Sequence, residues 1–335
     1  MIAQIDSKYS RYGLNKVIKR LVSYTLFEGR PHTTKGQWFN PVVFLLLRIL
    51  NKIPCAQKLK QPIFITGLGR SGTTILGIML SLHKDVGFLN EPKAIWRTID
   101  SMHDINGDYI QNGGKFRLTK KDVTDDARKI SSRIFSHYLS TVRAHRLVDK
   151  YPELIFRINY LLELFPDAKI IFISRNGADA THSINLWSKR LGVEVKGRID
   201  DWWGRDDIKW HYLRDQIILK DPDYSSIKES SSLDLDHINR AALEWVITMR
   251  EGLKQLKLYP DSVIHIQYEA LTKNPDQELH KLMKKCNLAT DEKVIKYAKE
   301  KLYTNTPKDN PKLLPAIEKL FNETMAELGY TKENQ

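Results

Sequence analysis

Between the apolar run Ile63-Phe64-Ile65-Thr66 and a second apolar segment, Ile75 to Leu82, the chain reads GLGRSGTT over residues 67–74. No other stretch restricts the fold as much. A short apolar run, then glycines, then further hydrophobic residues predicts a buried strand, a tight loop and a helix start. Such a loop points backbone N–H groups at an anion, and the helix dipole adds positive potential at the same place. The spacing nearly fits the phosphate-loop pattern GxxxxGK[ST], but Thr73 stands where the lysine belongs. The loop therefore reads as a phosphate cradle and argues against ordinary Mg-ATP chemistry.

The rest of the chain alternates strand and helix signals. A short second strand is expected at 86–89, closed by Glu91-Pro92. The continuous apolar run 169–174 is the strongest strand signal, of the kind buried in parallel sheets. Another strand is expected at 262–268. Helical spacing covers 119–146, with Thr119 as a cap, then 153–164, 241–256, 275–285 and 315–328, the last ending at Gly329. This alternation predicts a three-layer α/β/α domain with a mainly parallel central sheet, which binds ligands beyond the carboxyl ends of its strands. Residues 1–58 read as an N-terminal helical extension and 59–335 as one domain. Residues 187–240 break the rhythm, with Trp187, Trp202, Trp203 and Trp210 among many charges and a serine run at 230–232. They fit either a surface insertion whose aromatics pack on the core or a wall that binds a second substrate.

Composition narrows the partners. The formal net charge of +13 over 335 residues favours an anionic ligand: a nucleotide, an acidic glycan, nucleic acid or a membrane surface. Nucleic acid is disfavoured because no binding motif with interleaved aromatics appears. Cys55 and Cys286 are the only cysteines, too few for a disulfide framework or a metal site. Met1 to Arg20 has no apolar core of a signal peptide. A cytoplasmic protein is the expectation. The apolar stretch Pro41 to Ile53 is too short to span a bilayer and reads as a packed helix or as an interfacial anchor helped by basic neighbours.

The strand at 169–174 delivers Arg175 to its carboxyl end, where Asn176-Gly177-Ala178-Asp179 looks like a helix start. Ser183 follows eight residues after Arg175. A planar, permanently charged fork and a hydroxyl donor suit a second phosphate in the same sheet. Two phosphate sites without the lysine suggest a nucleotide with separated anionic groups.

At this point the chain resembles the P-loop sulfotransferases, which use 3′-phosphoadenosine-5′-phosphosulfate (PAPS) as co-substrate. GLGRSGTT is similar to their 5′-phosphosulfate loop, and ISRNGADATHS to their 3′-phosphate segment. Asp149-Lys150-Tyr151-Pro152 resembles their Lys-x-Pro turn, Phe165 to Lys169 the usual lead into the strand, and Tyr268-Glu269-Ala270-Leu271 with Asn274-Pro275 a later element. The likeness runs in order over roughly residues 61–330 and is nearest the branch holding tyrosylprotein sulfotransferases and many bacterial enzymes. It implies donor-binding roles for Arg70, Ser71, Gly72, Thr73, Thr74, Arg175, Ser183 and Tyr268. It implies catalytic roles for Glu91 as base, with a pKa raised by burial, and for Arg70 and Lys150 on the transferred group. His83 is the alternative base. Trp187 stands where the tyrosylprotein enzymes carry another arginine. The resemblance implies in-line sulfuryl transfer to an acceptor hydroxyl without a metal. The tryptophans and the basic balance favour a carbohydrate or glycolipid acceptor. Protein tyrosine, a small phenol or a lipid alcohol are alternatives, as is peripheral contact with a membrane surface. A P-loop small-molecule kinase or a non-catalytic nucleotide-binding protein are the readings from other classes.

Overall fold

A computed structural model describes residues 3–31, 33–109, 113–195, 197–229, 235–304 and 306–330. Its strands, numbered in chain order, are β1 (Ile63–Gly67), β2 (Val86–Asn90), β3 (Arg146–Lys150), β4 (Lys169–Ser174), β5 (Val193–Val195), β6 (Arg198–Asp201), β7 (Gly204–Arg205) and β8 (Val263–Gln267). Five of them form one parallel sheet in the order β2-β3-β1-β4-β8. The strand side chains alternate between two cores. Ile63, Ile65, Ile171 and Ile173 face one, where the helices Thr73–Ser81, Pro275–Lys285 and Glu292–Lys301 contribute Leu76, Leu279 and Val294. Phe64, Ile170 and Phe172 face the other, where Trp96, Ile134, Trp245 and Phe321 come from four further helices. Helices on both faces of a buried parallel sheet are the expected three-layer arrangement.

Two expectations need correcting. The predicted helix 119–146 is two elements: Thr119 caps only a single 3-10 turn, Lys120–Asp122, and the α-helix runs Asp125–Thr141 from a Thr124 cap. The residues beyond it become β3, a strand between β2 and β1, so Asp149 and Lys150 are sheet residues rather than turn residues. The helices Tyr268–Lys273 and Glu292–Lys301 were not anticipated.

The described residues before 59 are largely helical, with Leu14–Val22 and Asn40–Lys52 as the longer pieces. They share the main core, to which Phe27, Val43 and Leu47 belong. Arg20 and Glu28 close a buried ion pair at 2.5 Å within this segment. In the insertion, β5, β6 and β7 form a small antiparallel sheet. Trp203 and Trp210 are buried edge to face with ring centres 5.7 Å apart. The serine run 230–232 lies outside the described residues.

Candidate active site

The loop after β1 is shaped by close approaches. Gly67 has φ +137°, and a Cβ there would come within 2.5 Å of the Ile173 carbonyl on β4. Gly72 is the N-cap of the helix Thr73–Ser81 at φ 91°, left-handed backbone that glycine adopts without strain. No side chain caps this helix, so its first-turn amides are free to meet an anion. Gly72 also lies against the Tyr268 ring, where an added Cβ would fall 2.2 Å from Cδ2.

Around the loop the structure gathers the residues assigned to both phosphates. Arg70, itself at φ 73°, donates Nε to Ser183 Oγ at 3.1 Å. Arg175 donates to the Arg70 carbonyl at 2.8 Å and lies 4.8 Å over the Tyr268 ring. Arg70 and Ser183, assigned to opposite ends of the donor, therefore touch each other. Burial, with the charges of Arg175 and then Arg190, lowers the Arg70 pKa. Such a cation held among cations calls for an anion between them. Ser71 Oγ and Arg175 Nε are buried and have no hydrogen-bond partner. These orphaned donors and the uncapped loop fit a phosphorylated nucleotide.

The base candidate is set by the sheet. Parallel pairing puts Asn90 of β2 opposite Lys150 of β3. The chain then turns through a left-handed Glu91 at φ 49°, whose N–H donates to the Lys150 carbonyl at 2.6 Å. The Lys150 ammonium closes an ion pair with the Glu91 carboxylate. Burial works to raise the Glu91 pKa, but Lys150, then Lys93, and more distantly Lys209, outweigh it and hold the carboxyl below its usual range. This overturns the expectation of a raised pKa: Glu91 is paired with Lys150 and its pKa is lowered. Asp149, beside Lys150, is the opposite case. Burial drives its pKa well up, and it accepts a hydrogen bond from Trp96 Nε1 at 2.8 Å.

Arg70, Thr73, Thr74, Glu91 and Lys150 line one cavity of about 260 Å³. Trp187 and Trp202 of the insertion wall it, as do Pro31, Thr33 and Thr34 of the N-terminal segment. Arg175, Ser183 and Tyr268 stand behind Arg70 and the loop rather than on this lining. His83 is not part of the lining. It is buried past the helix end, with Nδ1 accepting the Asp85 N–H at 3.1 Å, which leaves Nε2 to donate to the Ala289 carbonyl at 2.8 Å. Sequence reasoning missed Lys93, Lys209 and Arg190. Lys93 pairs with Asp108 at 2.8 Å, and Lys209 with Glu244 at 2.6 Å. Arg190 carried a faint signal, seven residues past Ser183 and so on the same helix face. Among the described residues no group of three or more His, Cys, Asp and Glu side chains is arranged to hold a metal ion. None of their helices is long and apolar enough to cross a membrane.

A phosphate loop after the first strand of a parallel α/β sheet defines the class, a P-loop α/β protein. Residues 62–217, just under half of the chain, match the model of a sulfotransferase family. It is 32% identical over 128 residues to a protein-tyrosine sulfotransferase of Drosophila melanogaster, covering 36% of this chain and 24% of that protein. It is 31% identical over 119 residues to nodulation protein NoeE of Sinorhizobium fredii, covering 34% and 28%. The chain thus spans about a quarter of the length of these curated relatives. A sulfotransferase domain from the curacin biosynthetic pathway superposes with a TM-score of 0.48 at 15% identity, covering 82% of this chain and 99% of that one.

Proposed function

We propose that the protein transfers a sulfuryl group from PAPS to an acceptor hydroxyl. The observation that carries this reading is the single cavity lined both by the anion loop and by the Glu91–Lys150 pair. The loop amides, Arg70 and Lys150 hold the phosphosulfate, and Arg175 and Ser183 the 3′-phosphate. The acceptor oxygen attacks sulfur as the bond from sulfur to the bridging phosphate oxygen breaks, releasing 3′,5′-ADP. The hydroxyl proton passes to Glu91. Lys150 leaves the carboxylate for the sulfuryl and bridging oxygens as negative charge builds there, which frees Glu91 to accept the proton at the same moment. Fixed cations aimed at developing charge provide the electrostatic stabilisation such transfers need.

The acceptor we favour is a carbohydrate or glycolipid, because Trp187 and Trp202 offer aromatic faces beside polar Asp200, Asp201 and Thr34 in the same wall. The similarity to a protein-tyrosine sulfotransferase supports a tyrosyl acceptor as the second reading. A screen with ³⁵S-labelled PAPS across glycans, glycolipids, phenols and tyrosyl peptides tests both. Label on sugar hydroxyls supports the first reading, label confined to tyrosyl peptides supports the second, and no PAPS turnover with any acceptor overturns the transferase reading.

A further inference from the structure

The helix Asn40–Lys52 is apolar on two opposite faces. Val43 and Leu47 enter the core. On the other side Val42, Leu45 and Ile49 are exposed at 47%, 54% and 46%, and Trp38 just before the helix is exposed at 82%. The spacing of these four residues keeps them on one stripe. A stripe of large apolar side chains left in water marks an interaction surface.

Charge says what covers it. From Gly29 to Lys60 the sequence contains Arg30, Lys35, Arg48, Lys52, Lys58 and Lys60 and not one Asp or Glu. Lys35, Arg48 and Lys52 are exposed along or next to the stripe. An apolar stripe with a tryptophan, on a segment whose charged side chains are all cationic, is the pattern of a helix lying in the interface of an anionic bilayer. A protein partner would need an acidic rim around an apolar ridge; a lipid surface supplies both at once. We propose that this face docks on an anionic membrane surface with the helix parallel to it and Trp38, Leu45 and Ile49 inserted at headgroup depth. The chain runs from Thr34 in the cavity wall to Trp38 on the stripe within four residues. Docking therefore brings that side of the cavity toward the headgroups, and, on the transferase reading above, favours an acceptor carried by a lipid.

Flotation of the full chain with vesicles tests the docking without reference to catalysis. The protein is expected to float with phosphatidylcholine vesicles containing phosphatidylglycerol, and to float less with phosphatidylcholine alone or as salt is raised. A Leu45→Ser/Ile49→Ser double variant, altered only at exposed positions, is expected to bind at least about tenfold more weakly with unchanged circular dichroism. An Arg48→Glu/Lys52→Glu variant should lose the preference for anionic vesicles. Failure of the parent chain to float, or equal flotation of parent and both variants, overturns the proposal. A concentration-dependent dimer that the Leu45→Ser/Ile49→Ser change abolishes, without vesicle binding by the parent, would assign the stripe to a second copy instead. PAPS turnover on soluble acceptors is unaffected by either result, so failure of the docking and failure of the transferase reading remain distinguishable.

Discussion

Replacing Lys150 by methionine removes the charge beside Glu91 while keeping most of the side-chain volume. Lys150 is 1% exposed as a residue, whereas the Glu91 side chain keeps 37% of its exposure. A contact ion pair is worth about 4 kcal/mol at an effective dielectric near 20 and about 1 kcal/mol in bulk water. The partial exposure of Glu91 places this pair between those limits, about 2 kcal/mol after solvent screening. Removing the pair therefore raises the Glu91 pKa. The sign follows from the balance at the site: burial raises the carboxyl, Lys150 is the largest influence lowering it, and Lys93 and Lys209 remain in the variant. In the parent, the stabilisation from ionised Glu91 is present above the usual carboxylate range and is lost only as pH falls through its lowered pKa. The assay is kcat/KM for sulfate transfer against pH, which reports the ionisation of the free enzyme. The parent profile should stay flat into the acid range, whereas the variant should show an acid limb displaced to higher pH, because its Glu91 protonates sooner. Its plateau should lie about a hundredfold lower, for want of the cation on the transferred group. A folded, active variant with a profile still flat to the acid edge would refute Glu91 as the proton acceptor. So would a Glu91→Gln variant that keeps the parent rate.

Arg175→Ala should erase the preference for 3′,5′-ADP over 5′-AMP in calorimetry, about a tenfold or larger loss, because a charge-assisted contact to the 3′-phosphate disappears. Gly72→Ala should weaken 3′,5′-ADP binding at least about tenfold and lower stability by about 1–3 kcal/mol in urea unfolding, since the new methyl meets the Tyr268 ring in left-handed backbone. His83→Ala should cost about 1–3 kcal/mol of stability through the orphaned Ala289 carbonyl and Asp85 N–H, while kcat at saturating substrate stays within about twofold.

The parts legible in sequence were those where burial is written in apolar residues. β1 and β4 were plain because every position from Ile63 to Ile65 and from Ile170 to Ile173 is hydrophobic. β3 was invisible for the opposite reason. Arg146, Asp149 and Lys150 make RLVDK look like a polar turn, yet Asp149 is buried against Trp96 and Lys150 against the Glu91 carboxylate. Their compensation comes from residues more than fifty positions away, which no local pattern reveals. The same holds at the cavity. The loop and Arg175 announce themselves by motif, but Lys93 and Lys209 are single cations, and Lys209 reaches the cavity only because the insertion folds beside the loop. The extension 1–58 also lends Pro31, Thr33 and Thr34 to the wall, a contribution that its helical pattern does not encode.

Trp202 packs so tightly against the loop that a Cβ on Gly69 would lie 2.5 Å from its ring. The same indole donates to Glu244 at 2.5 Å, and the Lys209 ammonium sits 4.5 Å over it. The loop meets the benzo edge of the indole, and the insertion holds its face and its N–H. One side chain therefore ties the shape of the anion loop to the wall of the cavity. A smaller residue at position 202 would loosen that tie without altering any group that the transferase reading places on the sulfuryl itself.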